Sequence, residues 1–155
     1  MGGLELSAAL KCLGKCGVDM NVRDSKNNTP LHEVLSVGNA DTVDHDEITE
    51  CVHALIKHGA DVNATNKENY TPLHSAISHS LPRPTLVLLK TGADVKMATH
   101  NGNTPLHYAV HLKSNSQTEY LTILNHLMEG GAEIDPMNSR QETPLYRAVF
   151  NQKEL

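Results

Sequence analysis

Apolar residues along the chain gather in short clusters with helical spacing, separated by polar stretches rich in Gly, Asn and Asp. Leu55 with Ile56, Leu88 with Leu89 and Leu127 with Met128 each stand a few residues before a Gly. Upstream of each pair, a Leu follows Thr-Pro. Apolar positions grouped this way mark one buried face of a helix. The flanking residues supply the start and the stop. Thr suits an N-cap, because its hydroxyl accepts from an orphan amide of the first turn. Pro fits the first helical position, where its missing N–H costs nothing. Gly fits the left-handed residue that ends a helix. The pattern predicts helix, short connection, second helix, Gly stop and turn, repeated along the chain.

Two phrases alternate in that pattern. Thr29-Pro30-Leu31-His32 recurs as Thr71-Pro72-Leu73-His74, as Thr104-Pro105-Leu106-His107 and as Thr143-Pro144-Leu145-Tyr146. Gly17-Val18-Asp19-Met20-Asn21 recurs at Gly59–Asn63, at Gly92–Lys96 and at Gly131–Asp135. Ala76, Ala109 and Ala148 hold one place two residues after the fourth position of the first phrase, and Val34 holds it in the first copy. This phrase resembles the Thr-Pro-Leu-His-x-Ala signature of the ankyrin repeat, with its period of about 33 residues. The resemblance covers almost the whole chain. It implies an all-α ankyrin-repeat solenoid of helix-turn-helix units joined by β-hairpin-like fingers.

Counted from five residues before each Thr, the units run 24–65, 66–98 and 99–137, with lengths of 42, 33 and 39 residues. Residues 4–23 read as the second helix and turn of a partial repeat, with Leu10 and Leu13 facing inward, and 138–155 as a partial repeat with a first helix only. The expectation is a piece of a longer array, cut in mid-repeat at both ends. The extra residues of the long units fall between their helices, around Gly38–Asp46 and Lys113–Thr118. Pro82 and Pro84 mark that junction in the short unit, where Pro can end one helix and open the next. Asp46 and Glu47 favour the start of a second helix through the helix dipole.

The resemblance also implies a binding face, made of the fingers and the first helices beside them. Carried over position by position, the finger residues are Arg23, Ser25 and Lys26, then Thr65, Lys67 and Glu68. Ala98, His100 and Asn101 follow, and then Met137, Ser139 and Arg140. The residue before each Thr faces the same groove: Asn28, Tyr70, Asn103 and Glu142. The ends of the first helices add Ser36, Val37, Ser78, His79, His111 and Leu112. Each finger needs one residue that accepts a left-handed conformation, offered by Asn27, Asn69, Gly102 and Gln141; Gln accepts it poorly. Tyr70 is either an exposed anchor for a partner or a ring packed on a neighbouring finger.

Composition narrows the function classes. The chain has 155 residues, 39% hydrophobic and 20% charged, enough to bury one core and not disordered by composition. One Phe, four Tyr and no Trp point to closely packed helices of Leu, Ile, Val and Ala rather than a sandwich built on large rings. A formal charge of −5 argues against a nucleic-acid partner, which needs clustered cations. No stretch approaches the roughly 18 apolar residues of a membrane span, so membrane insertion is not expected. The N-terminus lacks the basic start and small-residue cleavage site of a secretory signal. Three cysteines without a C-x-x-C make no disulfide framework, and Cys12 and Cys16 read as small core residues. The expected setting is intracellular, cytoplasmic or nuclear.

Ten His raise the question of a metal. His32, His74 and His107 belong to the repeat phrase, where the family uses the ring to hydrogen-bond local backbone. His107 and His111 have the spacing of two zinc ligands, but Tyr108 stands where a zincin has Glu. The acidic run Asp41–Glu47 lacks the ligand order and central Gly of a calcium loop. No glycine-rich phosphate loop or nucleophile elbow is present. The expectation is a non-catalytic module without cofactor or metal that binds another protein or a peptide, as an adaptor or scaffold. The alternative is a regulatory or substrate-recognition segment of a larger enzyme, channel or ubiquitin-ligase subunit.

Overall fold

The structure is a computed structural model that describes residues 3–37, 45–110 and 117–151. Among these residues the chain forms eight α-helices and no strand. Four begin at the Pro of the first phrase: α2 (Pro30–Ser36), α4 (Pro72–Ser78), α6 (Pro105–Ala109) and α8 (Pro144–Asn151). Four others end just before the Gly of the second phrase: α1 (Gly3–Lys15), α3 (His45–Lys57), α5 (Pro82–Lys90) and α7 (Gln117–Glu129).

The local chemistry follows the phrases at the Pro starts and Gly stops; the Thr71 hydroxyl accepts from His74 N–H at 3.4 Å, whereas those of Thr29 and Thr104 bond to Nδ1 of His32 and His107. Thr29, Thr71 and Thr104 are extended N-caps with Pro following at the first helical position. Gly17, Gly59, Gly92 and Gly131 all have positive φ, between 75° and 97°. At each of the last three, the next residue's N–H reaches back five positions, as in Ala60 to the Leu55 carbonyl at 3.0 Å, Ala93 to Leu88 at 3.0 Å and Ala132 to Leu127 at 3.0 Å. This Schellman closure satisfies carbonyls the helix leaves free. The α4–α5 corner uses the same device without Gly: Ser80 sits at φ 53°, and Leu81 N–H bonds to Ala76 at 2.9 Å. Pro82 then opens α5, as the sequence implies.

The helices stack in two rows. α2, α4, α6 and α8 pack one on the next, as do α1, α3, α5 and α7, and α2, α4 and α6 each pack on the second helix of the same repeat, α3, α5 and α7. One continuous core runs between the rows, through Leu31, Leu55, Leu73, Leu88 and Leu127. Two expectations need correction at its ends. Leu13 does not face inward but is 47% exposed, and Ser7 and Leu10 make the inward face of α1. Leu10 packs against the core where α1 meets α3. Cys12 and Cys16 are likewise exposed rather than core, whereas Cys51 is buried. Most of the two interhelix insertions, 38–44 and 113–116, lies outside the described residues.

Candidate functional site

Between repeats the chain makes four tight turns, at 24–28, 66–70, 99–103 and 138–142, which are the fingers. In each, the first residue's N–H bonds to the fifth residue's carbonyl at 3.0–3.1 Å, as between Asp24 and Asn28 or Asn138 and Glu142. The fourth residue is left-handed at all four: Asn27 at φ 65°, Asn69 at 58°, Gly102 at 74° and Gln141 at 59°. Gln therefore takes a conformation that costs it about 1 kcal/mol or more. The first residue's side chain folds over the turn. Asp24 Oδ1 accepts from Lys26 and Asn28 N–H at 2.8 and 2.7 Å, and Asn66 and Asn138 do the same in their turns.

The fingers are joined into one edge by backbone hydrogen bonds. Lys67 N–H donates to Lys26 O at 3.1 Å, His100 N–H to Glu68 O at 3.0 Å and Ser139 N–H to Asn101 O at 2.9 Å. Side chains reinforce the edge. Arg23 donates to the Thr65 carbonyl at 2.6 Å, Asn69 to Ala98 at 2.6 Å, and Asn66 to Asn28 at 3.0 Å.

The phrase histidines bind this edge to the helices. His32 Nδ1 accepts from Thr29 N–H at 3.2 Å, so its Nε2 carries the proton and donates to Tyr70 O at 3.0 Å. His74 reaches Asn103 O at 3.3 Å and His107 reaches Glu142 O at 3.0 Å in the same way. The family-based expectation of local backbone bonding is thus half of the arrangement; the other ring nitrogen spans to the next finger. Burial lowers the pKa of all three, that of His74 to about 4, so the rings are neutral.

Tyr70 does not protrude. It is half-buried, its hydroxyl bonds to Ser78 Oγ, and its ring lies 5.1 Å from His74 and edge-on to Tyr108 at 5.5 Å. Burial pushes its hydroxyl pKa up to about 12. The ring thus packs against the first helices, on His74 of α4 and Tyr108 of α6.

The other expected residues divide by role. Ser25, Lys26, Lys67, Glu68, His100, Asn101, Met137, Ser139 and Arg140 are exposed along the finger edge, and Ser36, Val37 and Ser78 are exposed at the ends of the first helices. Asn28, Thr65, Ala98, Asn103, Glu142 and His79 are half-buried. Arg23, though exposed, is committed to the Thr65 carbonyl. His111 and Leu112 lie outside the described residues. Two residues escaped the sequence reading, Tyr108 and Arg147. Both follow the fourth residue of the first phrase, a position that the groove register could have flagged. Arg147 completes a cleft of about 280 Å³ with Asn101, Asn103, Asn138, Ser139, Arg140 and Glu142. Among the described residues no three of His, Cys, Asp and Glu converge on a metal-sized site, and no helix is long and apolar enough to cross a membrane.

Comparison with known families agrees with this geometry. A family described as ankyrin repeats (many copies) matches residues 55–109, and the single ankyrin repeat matches residues 26–67 and 101–139. Comparison with curated proteins returns no match.

Proposed function

The chain belongs to the ankyrin-repeat family, and from that premise we propose that it binds a protein partner through the finger edge and the groove beside it. Ankyrin repeats are in general protein-interaction modules, typically without catalytic activity. The observation that carries the proposal is the hydrogen-bonded finger edge, which holds Lys26, Lys67, His100 and Arg140 exposed on a backbone already fixed by cross-finger bonds. A preformed surface loses little ordering entropy on association, so its contacts convert more fully into affinity. Adaptor or scaffold is the role we assign, in a cytoplasmic or nuclear setting.

The test is affinity capture from a cell lysate with three baits: the wild-type chain, a finger variant (Lys26→Glu, Lys67→Glu, His100→Glu) and a back-face variant (His53→Glu, Lys57→Glu, Lys90→Glu). Both variants change exposed residues or the ends of second helices and leave the core alone. A partner retained by the back-face variant and lost by the finger variant is the expected result. Loss with the back-face variant alone would move the interface to the second helices.

A further inference from the structure

The cleft between the third and fourth fingers differs in chemistry from the rest of the edge. Its walls are polar: Asn101, Asn103, Asn138, Ser139, Arg140, Glu142 and Arg147. Arg140 projects from the fourth finger and Arg147 from α8. Among the described residues neither guanidinium belongs to an ion pair; the two ion pairs present are Lys11–Glu50 and Arg83–Asp46, both on other faces. Arg147 spends one N–H on Asn103 Oδ1 at 3.2 Å and keeps the rest of its donors. The cleft's acid is already engaged, since Glu142 Oε2 accepts from Asn138 Nδ2 at 2.9 Å. A chain of net charge −5 thus keeps two guanidiniums facing a shared cleft against one carboxylate.

We propose that this cleft is a carboxylate-binding subsite, which takes an Asp or Glu side chain of an extended acidic peptide segment. The identification rests on the groove reading above and deepens it. Three features select the ligand. Guanidinium forks match a carboxylate with two parallel N–H···O bonds, which a lysine cannot do. The charge count of two Arg against Glu142 leaves a single uncompensated positive charge, which a monoanionic carboxylate balances and a phosphate of charge near −2 would exceed. The cleft, of about 280 Å³, has room for a carboxylate side chain.

The test is a titration of the isotope-labelled full chain, followed by NMR at the Arg140 and Arg147 Nε–H resonances and at the Ser139 amide. Four end-blocked or free probes are used: blocked hexaglutamate, blocked hexaglutamine, a blocked phosphoserine peptide, and acetylglycine, whose only charge is a terminal carboxylate. Hexaglutamate should give saturable shifts at both arginines and hexaglutamine none. Arg140→Gln should weaken binding at least fivefold, and as Arg140's side chain makes no intramolecular bond among the described residues, that variant keeps the fold. Arg147→Gln should act similarly, with its melt checked because Arg147 also holds Asn103. Equal shifts with hexaglutamine, or unchanged hexaglutamate binding in Arg140→Gln, overturn the subsite. Tighter binding of the phosphoserine peptide or of acetylglycine than of hexaglutamate overturns the assignment to an acidic side chain. The titration needs no cellular partner, so it stands or falls separately from the lysate capture.

Discussion

At the residue scale, the phrase histidines tie stability to pH. His74 is fully buried; its Nδ1 accepts from Thr71 N–H while Nε2–H donates to Asn103. A second proton would turn Nδ1 from acceptor to donor and set it against that N–H. In the unfolded chain a His takes up its proton near 6.5, whereas folded His74 does so only near 4. Between those values the unfolded state holds more protons. The contribution is therefore fully present above about pH 6.5, falls as pH drops through the window, and stops falling below about 4. His32 and His107 are shifted in the same direction, again by burial. Urea unfolding at pH 7.5, 6 and 5 should show a loss of up to about 1.4 kcal/mol per pH unit from His74, with His32 and His107 acting in the same direction, and a shallower slope in His74→Gln. A flat profile over that range would rule out neutral buried rings. The sequence marked these histidines as structural from their place in the phrase. It could not show the reach to the next finger, because that bond joins residues such as His32 and Tyr70 that meet only once the repeats have stacked.

At the element scale, the Gly stops and Thr-Pro starts were legible because each depends on a single residue's backbone chemistry. The bonds between turns were not. Asn21 donates to Gly59 O at 2.9 Å and accepts from Asp61 N–H at 2.7 Å; Asn63 does the same with Gly92 and Asp94, at 3.1 and 2.8 Å. One amide thus satisfies a donor and an acceptor of the following repeat. In the third copy of the phrase the position is Lys96, whose stem lies along Gly131 without making that pair of bonds. Lysine has no acceptor and cannot take the N–H of residue 133. Asn63→Ala should cost about 1–2 kcal/mol, and Lys96→Asn should add about 0.5–1 kcal/mol by installing the missing bridge. Chemical denaturation of the two single variants measures both. A Lys96→Asn variant no more stable than wild type would show that Glu133 and Gly131 are not placed to receive the amide.

At the scale of the whole molecule, the same side chain has a different weight according to its place in the stack. The Leu of the first phrase is 0% exposed at Leu31 and Leu73 and 7% at Leu106, but 67% at Leu145. Sequence alone equates the four, since each follows Thr-Pro and begins an amphipathic helix. Burial separates them, because a helix of this fold is covered by its own second helix and by the next repeat, and the described residues supply neither for α8. Tyr146, Val149 and Phe150 share the exposure, and Tyr146, which stands where the other repeats have His, stacks on Phe150 at 5.9 Å instead of reaching another finger. In a solenoid, stability is close to a sum of repeat and nearest-neighbour terms, so Leu73 draws on two interfaces and Leu145 on less than one. Leu73→Ala should cost about 2–5 kcal/mol; Leu145→Ala should stay within about 0.5 kcal/mol. Hydrogen exchange should rank the helices likewise, with amides of α4 and α5 protected to the global limit and those of α8 exchanging by local opening. Equal costs for the two substitutions, together with equal protection of α4 and α8, would mean that α8 is covered in solution and that the fold closes beyond it.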